Sequence, residues 1–332
     1  MNRPSSGPLS SLDGLTLGPE GRGLLLAVAV ACSFATNSTL ARIAYEGGSN
    51  ALSMLTVRTG TALLVLVVLL QRVSTGARLS RGRSIAAFAL GLLLASYSYG
   101  LLGAIQYMPL AMVLVTFYTF PLLTALASAA LGREPLRSRT LLALGLALYG
   151  LSLVLDLSDS RINALGISHA LVAAVCFTTL LLCSDRVRGD GDSRLVTLRM
   201  LITGFAVYLL ACALSGAFAL PRTTLGWVGF IGCPLFYSFS FISLFSAVSL
   251  AGPVRTALVM NVEPVASAIF GYLLLAQVLS GWQVLGMATV VGAVIYGRLP
   301  QRRSGAGSDW LTVLLLGAGV LLLIAAVRIG SG

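Results

Sequence analysis

The chain has no lysine, a single histidine and few charged residues of any kind. Only 10% of its 332 residues are charged, against about 25% in soluble domains. Apolar residues make up 57% of the chain and give a mean hydropathy of +0.93. Because they recur in runs of roughly 20 residues, the length with which a helix crosses a bilayer, the sequence excludes an ordinary soluble domain and predicts an integral membrane protein.

Several kinds of chemistry also lack their motifs. The five cysteines lie inside apolar runs, without CxxC or Cys/His spacing, so they are interpreted as buried apolar residues rather than metal, disulfide or redox sites. No Walker motif, zinc motif or nucleophile triad is present, which argues against an ATP-driven pump or an intramembrane hydrolase. We expect no enzyme activity, no metal and no cofactor. The net charge of +11 has no aromatic-interleaved basic patch, so no nucleic-acid partner is expected.

Ten apolar runs predict ten membrane helices, called spans 1 to 10 below. They cover residues 23–43, 51–71, 84–103, 109–131, 139–156, 164–183, 196–216, 225–245, 253–276 and 281–298. The first run is longer than the apolar region of a signal peptide and carries Asn37 and Arg42 late, so it is interpreted as a true span. A further apolar run at 310–327 lacks a basic polar face, which favours an eleventh spanning helix over a surface helix.

The arginines predict the orientation in the membrane, because short cytoplasmic loops carry an excess of positive charge. With a cytoplasmic N-terminus, the outer loops hold only Arg161 and Arg222. Seventeen arginines then lie on the inner side: Arg3, Arg22, Arg72, Arg78, Arg81, Arg83, Arg133, Arg137, Arg139, Arg186, Arg188, Arg194, Arg199, Arg255, Arg298, Arg302 and Arg303. The sequence therefore predicts a cytoplasmic N-terminus.

The two halves of the chain resemble each other at a nearly constant offset in numbering, called the repeat offset below. An offset of 143 places Phe120-Pro121 of span 4 on Glu263-Pro264 of span 9, and Glu134 on Gln277. The same offset places Phe34 and Thr36 on Phe177 and Thr179, and an offset of 141 places Arg58 on Arg199. Because each half has five spans, the second half enters the membrane inverted. Inverted repeats are the common physical route to alternating access.

The predicted fold class is an all-α membrane bundle of two inverted five-helix repeats with an additional C-terminal helix. Five segments follow: a cytoplasmic tail over 1–22, the first repeat over 23–156, the second over 157–298, a linker over 299–309 and the extra helix over 310–328.

The chain resembles the EamA-type ten-helix family of the drug/metabolite transporter superfamily. The resemblance covers about residues 22–298. It is carried by the stretch from Tyr107 through Pro121 to Gly132-Arg133-Glu134-Pro135, by Leu258–Val265, by the glycines from Gly286 to Gly292, and by Arg42 and Arg58. It implies a ten-helix transporter. Two features depart from the family pattern: Ala276-Gln277 stands where a Gly-Glu pair is frequent, and the eleventh run is additional.

Ionisable residues inside spans are costly and indicate function by default. Glu263 lies deep in span 9 before a proline, and two interpretations stay open: a substrate-amine or proton site, or a structural carboxylate that holds Arg58 or a backbone donor. For Arg58 itself, a helix-packing or gating role is favoured over substrate contact. His169, the only histidine, is the second candidate for proton coupling, although a satisfied polar group is the commoner role.

Polar and aromatic residues within spans predict the lining of a cavity. The candidates are Thr36, Asn37, Tyr97, Tyr99, Tyr118, Thr119, Phe177, Thr179, Tyr237, Asn261 and Glu263, with Arg58, Pro121 and Pro264 as structural or gating residues. Tyr97 and Tyr99 cannot easily face one cavity, because residues two apart lie on different helix faces. For each polar residue the alternative is a hydrogen bond between helices.

We therefore expect a secondary transporter, more specifically an exporter, of small metabolites such as amino acids, a substrate class that rests on the family resemblance. A nucleotide-sugar or sugar-phosphate carrier and a non-transporting accessory or scaffold protein are the alternatives. Abundant arginine without lysine is typical of a high-GC bacterial genome, so a bacterial inner membrane is the expected location. The expected partners are the lipid bilayer and a small-molecule substrate, and a homodimer is left open.

Overall fold

The computed structural model describes residues 18–72, 79–105, 107–108, 110–155, 163–189, 191–275 and 278–298. Within them the chain forms α-helices and no strands: α1 Pro19–Glu46, α2 Ala51–Arg72, α3 Arg81–Ile105, α4 Leu110–Phe117, α5 Phe120–Ala130, α6 Ser138–Val154, α7 Ala164–Arg188, α8 Ser193–Ser215, α9 Thr224–Ala251, α10 Pro253–Met260, α11 Val262–Leu275 and α12 Gly281–Arg298. Outside the described residues lie the tail 1–17, the eleventh run at 310–327 with the linker before it, Gln277, and Arg3, Arg78, Arg161, Arg302 and Arg303.

The helices confirm the predicted bundle. Spans 4 and 9 each consist of two helices, α4 with α5 and α10 with α11, and every other span is one helix. Eight of the ten spans are long and apolar enough to cross a membrane by length and composition, and Ser138–Val154 and Gly281–Gly297 are shorter apolar helices. The observed helix ends lie within a few residues of the predicted ones, except at the C-terminal ends of α7 and α9, which extend further.

The outside of the bundle is apolar. Large side chains such as Leu64, Leu214 and Trp282 are 64%, 80% and 68% exposed. The buried positions of the same helices hold many small residues, with alanine the most frequent in the core. Helices that are apolar on every side are typical of membrane spans, and small residues between them let the backbones approach closely.

The helix pairs follow the repeat. The most extensive contacts join α1 with α9, α6 with α12, and α3 with α7, and α2 also packs against α8. In terms of spans these pairs are 1 with 8, 5 with 10, 3 with 6, and 2 with 7. The repeat relates spans 1, 2, 3 and 5 to spans 6, 7, 8 and 10. It therefore converts the pair of spans 1 and 8 into the pair of spans 6 and 3. The pairs 5 with 10 and 2 with 7 are each converted into themselves. The packing therefore has the pseudo-two-fold relation that the sequence repeat predicts.

Spans 5 and 10 meet through glycine. A Cβ atom added to Gly150 would lie 2.8 Å from the carbonyl oxygen of Gly286, and one added to Gly286 would lie 2.6 Å from the carbonyl oxygen of Gly150. These distances are too short for a real side chain, because the obstacle on each side is backbone. The glycines of this pair are thus required by close helix packing.

Spans 4 and 9 are interrupted at equivalent positions. The first break falls at Tyr118 and Thr119, the second at Asn261, and the repeat offset places Tyr118 on Asn261. A proline follows each break, Pro121 and Pro264, and removes the amide hydrogen that the carbonyl four residues earlier would accept. Both breaks therefore have the same local cause.

Polar side chains at the breaks bond to carbonyls of the preceding turn. The hydroxyl of Thr119 donates to the carbonyl of Thr116 at 2.7 Å. The amide of Asn261 donates to the carbonyl of Leu258 at 3.0 Å. Irregular backbone inside a membrane protein is tolerated only where it is buried in protein or lines a cavity. The two breaks thus position a polar backbone near the middle of the bundle.

Candidate functional site

Arg58 lies two turns into α2 and is surrounded by protein on all sides. Its guanidinium carbon is 4.5 Å from the centre of the Tyr237 ring, within the range of a cation–π interaction. Tyr237, on α9, is only 1% exposed. The buried Nε of Arg58 has no hydrogen-bond partner among the described residues. An arginine side chain is therefore held by an aromatic face while part of its donor capacity is unused.

Glu263 is in the first turn of α11, directly after the break in span 9. The hydroxyl of Tyr118, at the break in span 4, lies close to its side chain. The charge of Arg58 acts on Glu263, but no ion pair joins the two within the described part of the chain. Both residues keep some accessible surface although protein surrounds them. Neither side chain is therefore completely enclosed by its neighbours.

An aromatic cluster forms a second part of this centre. Phe177 lies 5.3 Å from Tyr97, 5.6 Å from Phe117 and 4.8 Å from Phe120, measured between ring centres. Tyr118 packs against Phe117 at 5.7 Å and against Phe120 at the same distance. The sequence prediction included Tyr97, Tyr118 and Phe177 but missed Phe117 and Phe120. The repeat itself held a signal for Phe120, because the repeat offset aligns it with Glu263.

The aromatic contacts occur in two equivalent pairs. Phe177 of span 6 packs on Tyr97 of span 3 at 5.3 Å, and Phe34 of span 1 packs on Tyr237 of span 8 at 6.3 Å. Phe34 and Phe177 are related by the repeat offset, and Tyr97 and Tyr237 are separated by nearly the same interval of the sequence. The pseudo-two-fold relation thus runs through the centre of the bundle.

Asn37, Asn261, Thr36 and Thr119 form local contacts near this centre. Asn37 is buried, and its side-chain oxygen accepts a hydrogen bond of 2.9 Å from the Cys233 thiol. Asn261 is 2% exposed and bonds to its own helix. The hydroxyls of Thr36 and Thr119 also donate within their own helices. Their observed contacts are therefore structural ones.

One of the predicted cavity residues, Tyr99, does not face the centre. Tyr99 is 72% exposed, so the prediction for it is corrected: it lies on the outside of the bundle, while Tyr97 faces inward. The hydroxyl of Thr179 bonds to the carbonyl of the outward-facing Val175. Its neighbour Thr178 is buried instead and donates to the carbonyl of Phe120 at 3.1 Å. Thr178 is therefore the threonine that joins α7 to α5, and the cavity role of Thr179 stays a prediction.

His169 lies apart from the charged centre. Its Nδ1 is 2.8 Å from the carbonyl oxygen of Leu165, and its ring packs against Tyr107 at 5.7 Å. Gly103 packs directly on the imidazole. These neighbours do not include Glu263, so the two proton-coupling candidates are not brought together in the described structure.

The other arginines of interest have conventional partners. Arg42 forms an exposed ion pair with Glu46 at 2.9 Å at the end of α1. Arg199, the repeat equivalent of Arg58, donates to the Ser84 hydroxyl and, at 3.0 Å, to the carbonyl of Leu195. The repeat has therefore diverged here, because Arg199 is satisfied by hydrogen bonds and Arg58 lies on an aromatic ring.

Ten apolar spans in two repeats, with helix breaks at equivalent positions and polar residues between them, define a membrane transporter architecture. The chain belongs to the EamA-like transporter family, whose model matches residues 21–156 and 164–297. The family is one of transporters rather than enzymes, so the protein is a multi-pass membrane transporter of a small molecule.

Among curated proteins, the chain is similar to the threonine/homoserine exporter RhtA of Salmonella typhimurium, in strains SL1344 and LT2. The two share 27% identity over 220 residues, which are 64% of this chain and 70% of the exporter. The fold is also similar to that of a protein of known crystal structure, with a TM-score of 0.71 at 19% sequence identity. The match covers 84% of this chain and 99% of the other chain.

Proposed function

We propose that the protein is a secondary transporter that exports amino acids or related amphipathic metabolites by alternating access. The observation that carries this proposal is the charged centre of Arg58, Glu263 and Tyr118 between the two helix breaks, inside an otherwise apolar bundle. Ionisable residues at such a depth mark transport pathways. The similarity to an exporter of threonine and homoserine supports the substrate class and the direction.

The mechanism follows from the pseudo-two-fold packing. When two inverted halves can exchange conformations, the inward-open and outward-open states are near mirror versions of each other. Spans 1 and 8 pack as spans 6 and 3 do, and the aromatic pairs Phe34–Tyr237 and Phe177–Tyr97 lie at equivalent positions. Rocking of the halves around these pairs would expose the charged centre to either side in turn.

The proposed location is a bacterial inner membrane with the N-terminus in the cytoplasm. The arginine bias between alternate loops supports this orientation. The ion pair between Arg255 and Glu20 is consistent with it, since it joins the start of α1 to the start of α10, and the same topology places both ends on the inner side.

Glu263 is the proposed coupling residue. The Tyr118 hydroxyl and the Arg58 guanidinium lie close enough to its carboxylate to influence its charge. A substrate ammonium and a proton would compete for the same carboxylate, so export of one could be exchanged for entry of the other. A pH difference of one unit is then worth about 1.4 kcal/mol and supports accumulation of roughly tenfold for one proton per substrate.

The test is solute uptake into proteoliposomes of the purified protein, from a panel of amino acids, amines, sugars, sugar phosphates and nucleotide sugars. We expect saturable uptake of amino acids and accumulation that depends on an imposed pH gradient. Glu263→Gln should lose gradient-driven accumulation, whereas the control Glu46→Gln, at the exposed end of α1, should keep it. Full gradient-driven accumulation by Glu263→Gln would refute the coupling role.

The same panel tests the alternative functions. A carrier of phosphorylated sugars needs several cations in its cavity. Among the described residues Arg42 is paired at an exposed helix end, which leaves Arg58 at the centre, so carboxylate substrates are favoured. Absence of any flux from folded protein would support an accessory or scaffold function instead.

A further inference from the structure

We propose that Arg58 binds the carboxylate of the transported amino acid, and that Glu263 with Tyr118 binds its ammonium group. Resting on the proposed function, this inference narrows the substrate class to zwitterions with a free α-carboxylate. It assigns Arg58 the role of a residue that determines specificity. Solutes that keep the amine but lack the carboxylate are then excluded.

The first step of the argument is the state of Arg58 itself. An arginine stays charged in a protein, and a buried charge is costly unless it is paired and hydrogen-bonded. The aromatic ring of Tyr237 offsets part of this cost from one face of the guanidinium. The Nε remains without a hydrogen-bond partner in the described structure, and no carboxylate lies within ion-pair distance. The guanidinium is therefore available for an anion.

The second step compares Arg58 with the structural arginines of the same bundle. Arg133 donates to the carbonyl of Leu182 at 2.7 Å, and Arg139 donates to the carbonyl of Tyr296 at 2.8 Å. Arg199, the repeat equivalent, likewise bonds to backbone. Arg133 and Arg139 join different helix segments through carbonyl oxygens, and Arg199 bonds to its own helix and to Ser84. No hydrogen bond of this kind is formed by Arg58 within the described residues, so hydrogen bonding to the bundle does not account for its guanidinium.

The third step concerns Glu263. An arginine and a glutamate that only held each other would form an ion pair, yet no ion pair joins Arg58 and Glu263 in the described part of the chain, although the charge of Arg58 acts on Glu263. Both keep some accessible surface. Opposite charges that lie near each other without pairing match a ligand that carries both signs. A carboxylate fits the planar fork of a guanidinium, and an ammonium group fits the carboxylate beside Tyr118.

The fourth step is the environment of the substrate side chain. Phe117 and Phe120 pack on Tyr118. Phe177 and Tyr97 pack on Phe117, and the four rings together form an apolar wall. A small set of polar anchors with apolar walls is the usual composition of a small-molecule site. The charged end of an amino acid would lie at Arg58 and Glu263, and its side chain would lie against this wall.

The experiment compares free acids with their neutralised derivatives. Each L-amino acid of the transport panel that is taken up by wild-type proteoliposomes is used as the labelled probe, with its own amide and methyl ester as unlabelled competitors. We expect the free acid to compete at least tenfold better than either derivative. Equal competition by the amide would overturn the carboxylate role of Arg58 while the transport function stands.

Variants separate binding from folding. Arg58→Gln should lower kcat/KM for the free acid by roughly 30-fold or more, the loss that follows removal of one partner of a buried charge pair. Its ratio of acid to amide uptake should also fall toward one. Arg58→Lys, which keeps the charge without the fork, should retain part of the preference. The matched control Arg199→Gln should leave the ratio unchanged.

Every outcome bears on the proposal. Loss of the acid preference in Arg58→Gln with normal uptake by Arg199→Gln supports it. An unchanged acid preference in Arg58→Gln overturns it, and the competition data for the wild-type protein decide the question if that variant does not fold. Uptake of uncharged or purely cationic solutes but of no amino acid overturns the inference together with the amino-acid part of the proposed function.

Discussion

Arg58 and Tyr237 are predicted to be energetically coupled, and a double-mutant cycle measures this coupling. The variants are Arg58→Met, which removes the charge and keeps an unbranched apolar stem, Tyr237→Leu, which removes the aromatic ring, and the combination of both. The guanidinium carbon lies 4.5 Å from the ring centre and the ring is buried. Both conditions favour a strong cation–π interaction.

The expected interaction energy is about 2 kcal/mol, the value for a desolvated cation–π pair. The single variants will show other effects as well, because Tyr237 also packs on Phe34 and Phe241 at 6.3 and 5.4 Å. The double-mutant cycle cancels these packing energies, because Tyr237→Leu loses them equally with Arg58 present and with Arg58→Met. Tyr237→Phe provides the internal control. It keeps the ring and loses only the hydroxyl, so its cycle with Arg58→Met should give nearly zero.

The assay is unfolding by sodium dodecyl sulfate in mixed micelles, followed by circular dichroism, with the free energy of unfolding extrapolated for each variant. Arg199→Met replaces Arg58→Met in a parallel cycle with Tyr237→Leu, because Arg199 bonds to Ser84 and to its own helix. An interaction energy below about 0.5 kcal/mol for Arg58, or an equal energy for Arg199, would refute the assignment of Tyr237 as the residue that stabilises the buried cation.

Two further predictions concern stability. Asp192 accepts hydrogen bonds from the backbone and side chain of Arg194 at the start of α8. Burial raises the pKa of Asp192, but the hydrogen bonds and charge of Arg194 outweigh burial and leave this pKa below its ordinary value. Asp192→Ala should therefore lower the unfolding free energy by about 1 kcal/mol at neutral pH. The free energy of unfolding should be larger for wild type than for Asp192→Asn at any pH above the unfolded-state pKa of about 3.9. This difference should vanish as pH falls through the folded-state pKa of Asp192. A constant difference across a pH series would contradict the prediction. In span 6, Thr178→Val should cost about 1 kcal/mol because it removes a buried bond between helices, whereas Thr179→Val should cost almost nothing, and equal losses in the same micelle assay would refute the assigned facing of the two threonines.

The sequence predicted the order and bounds of the ten spans well, because each span is a long apolar run between arginine-rich or glycine-rich loops. The inverted repeat followed from residue matches at one offset. The proline of span 9 indicated a loosened helix, and the structure places a break at Asn261, three residues before Pro264. The equivalent break at Tyr118 could have been inferred from the same offset, since Pro121 follows it by the same distance.

The facing of individual side chains could not be predicted. A helix of a soluble protein has a polar face that fixes its rotation about the axis. The helices here are apolar on the outside and the inside, so neighbouring residues such as Thr178 and Thr179 cannot be assigned from the pattern alone. Only the contact with α5 shows that Thr178 faces inward. For Tyr97 and Tyr99, the helical spacing excluded a shared face but did not identify the inward residue.

Divergence between the repeats explains how a symmetric scaffold provides an asymmetric site. Phe120 and Glu263 occupy equivalent positions after the two helix breaks. The first half thus contributes an aromatic ring to the Phe177 cluster, and the second contributes a carboxylate beside Tyr118. An exact repeat would place either two carboxylates or two rings at the centre. The former would repel each other in a medium of low dielectric constant, and the latter would leave a charged solute without a partner. One charged and one aromatic position avoid both problems, and they give the centre the charged end and the apolar wall that an amphipathic solute requires.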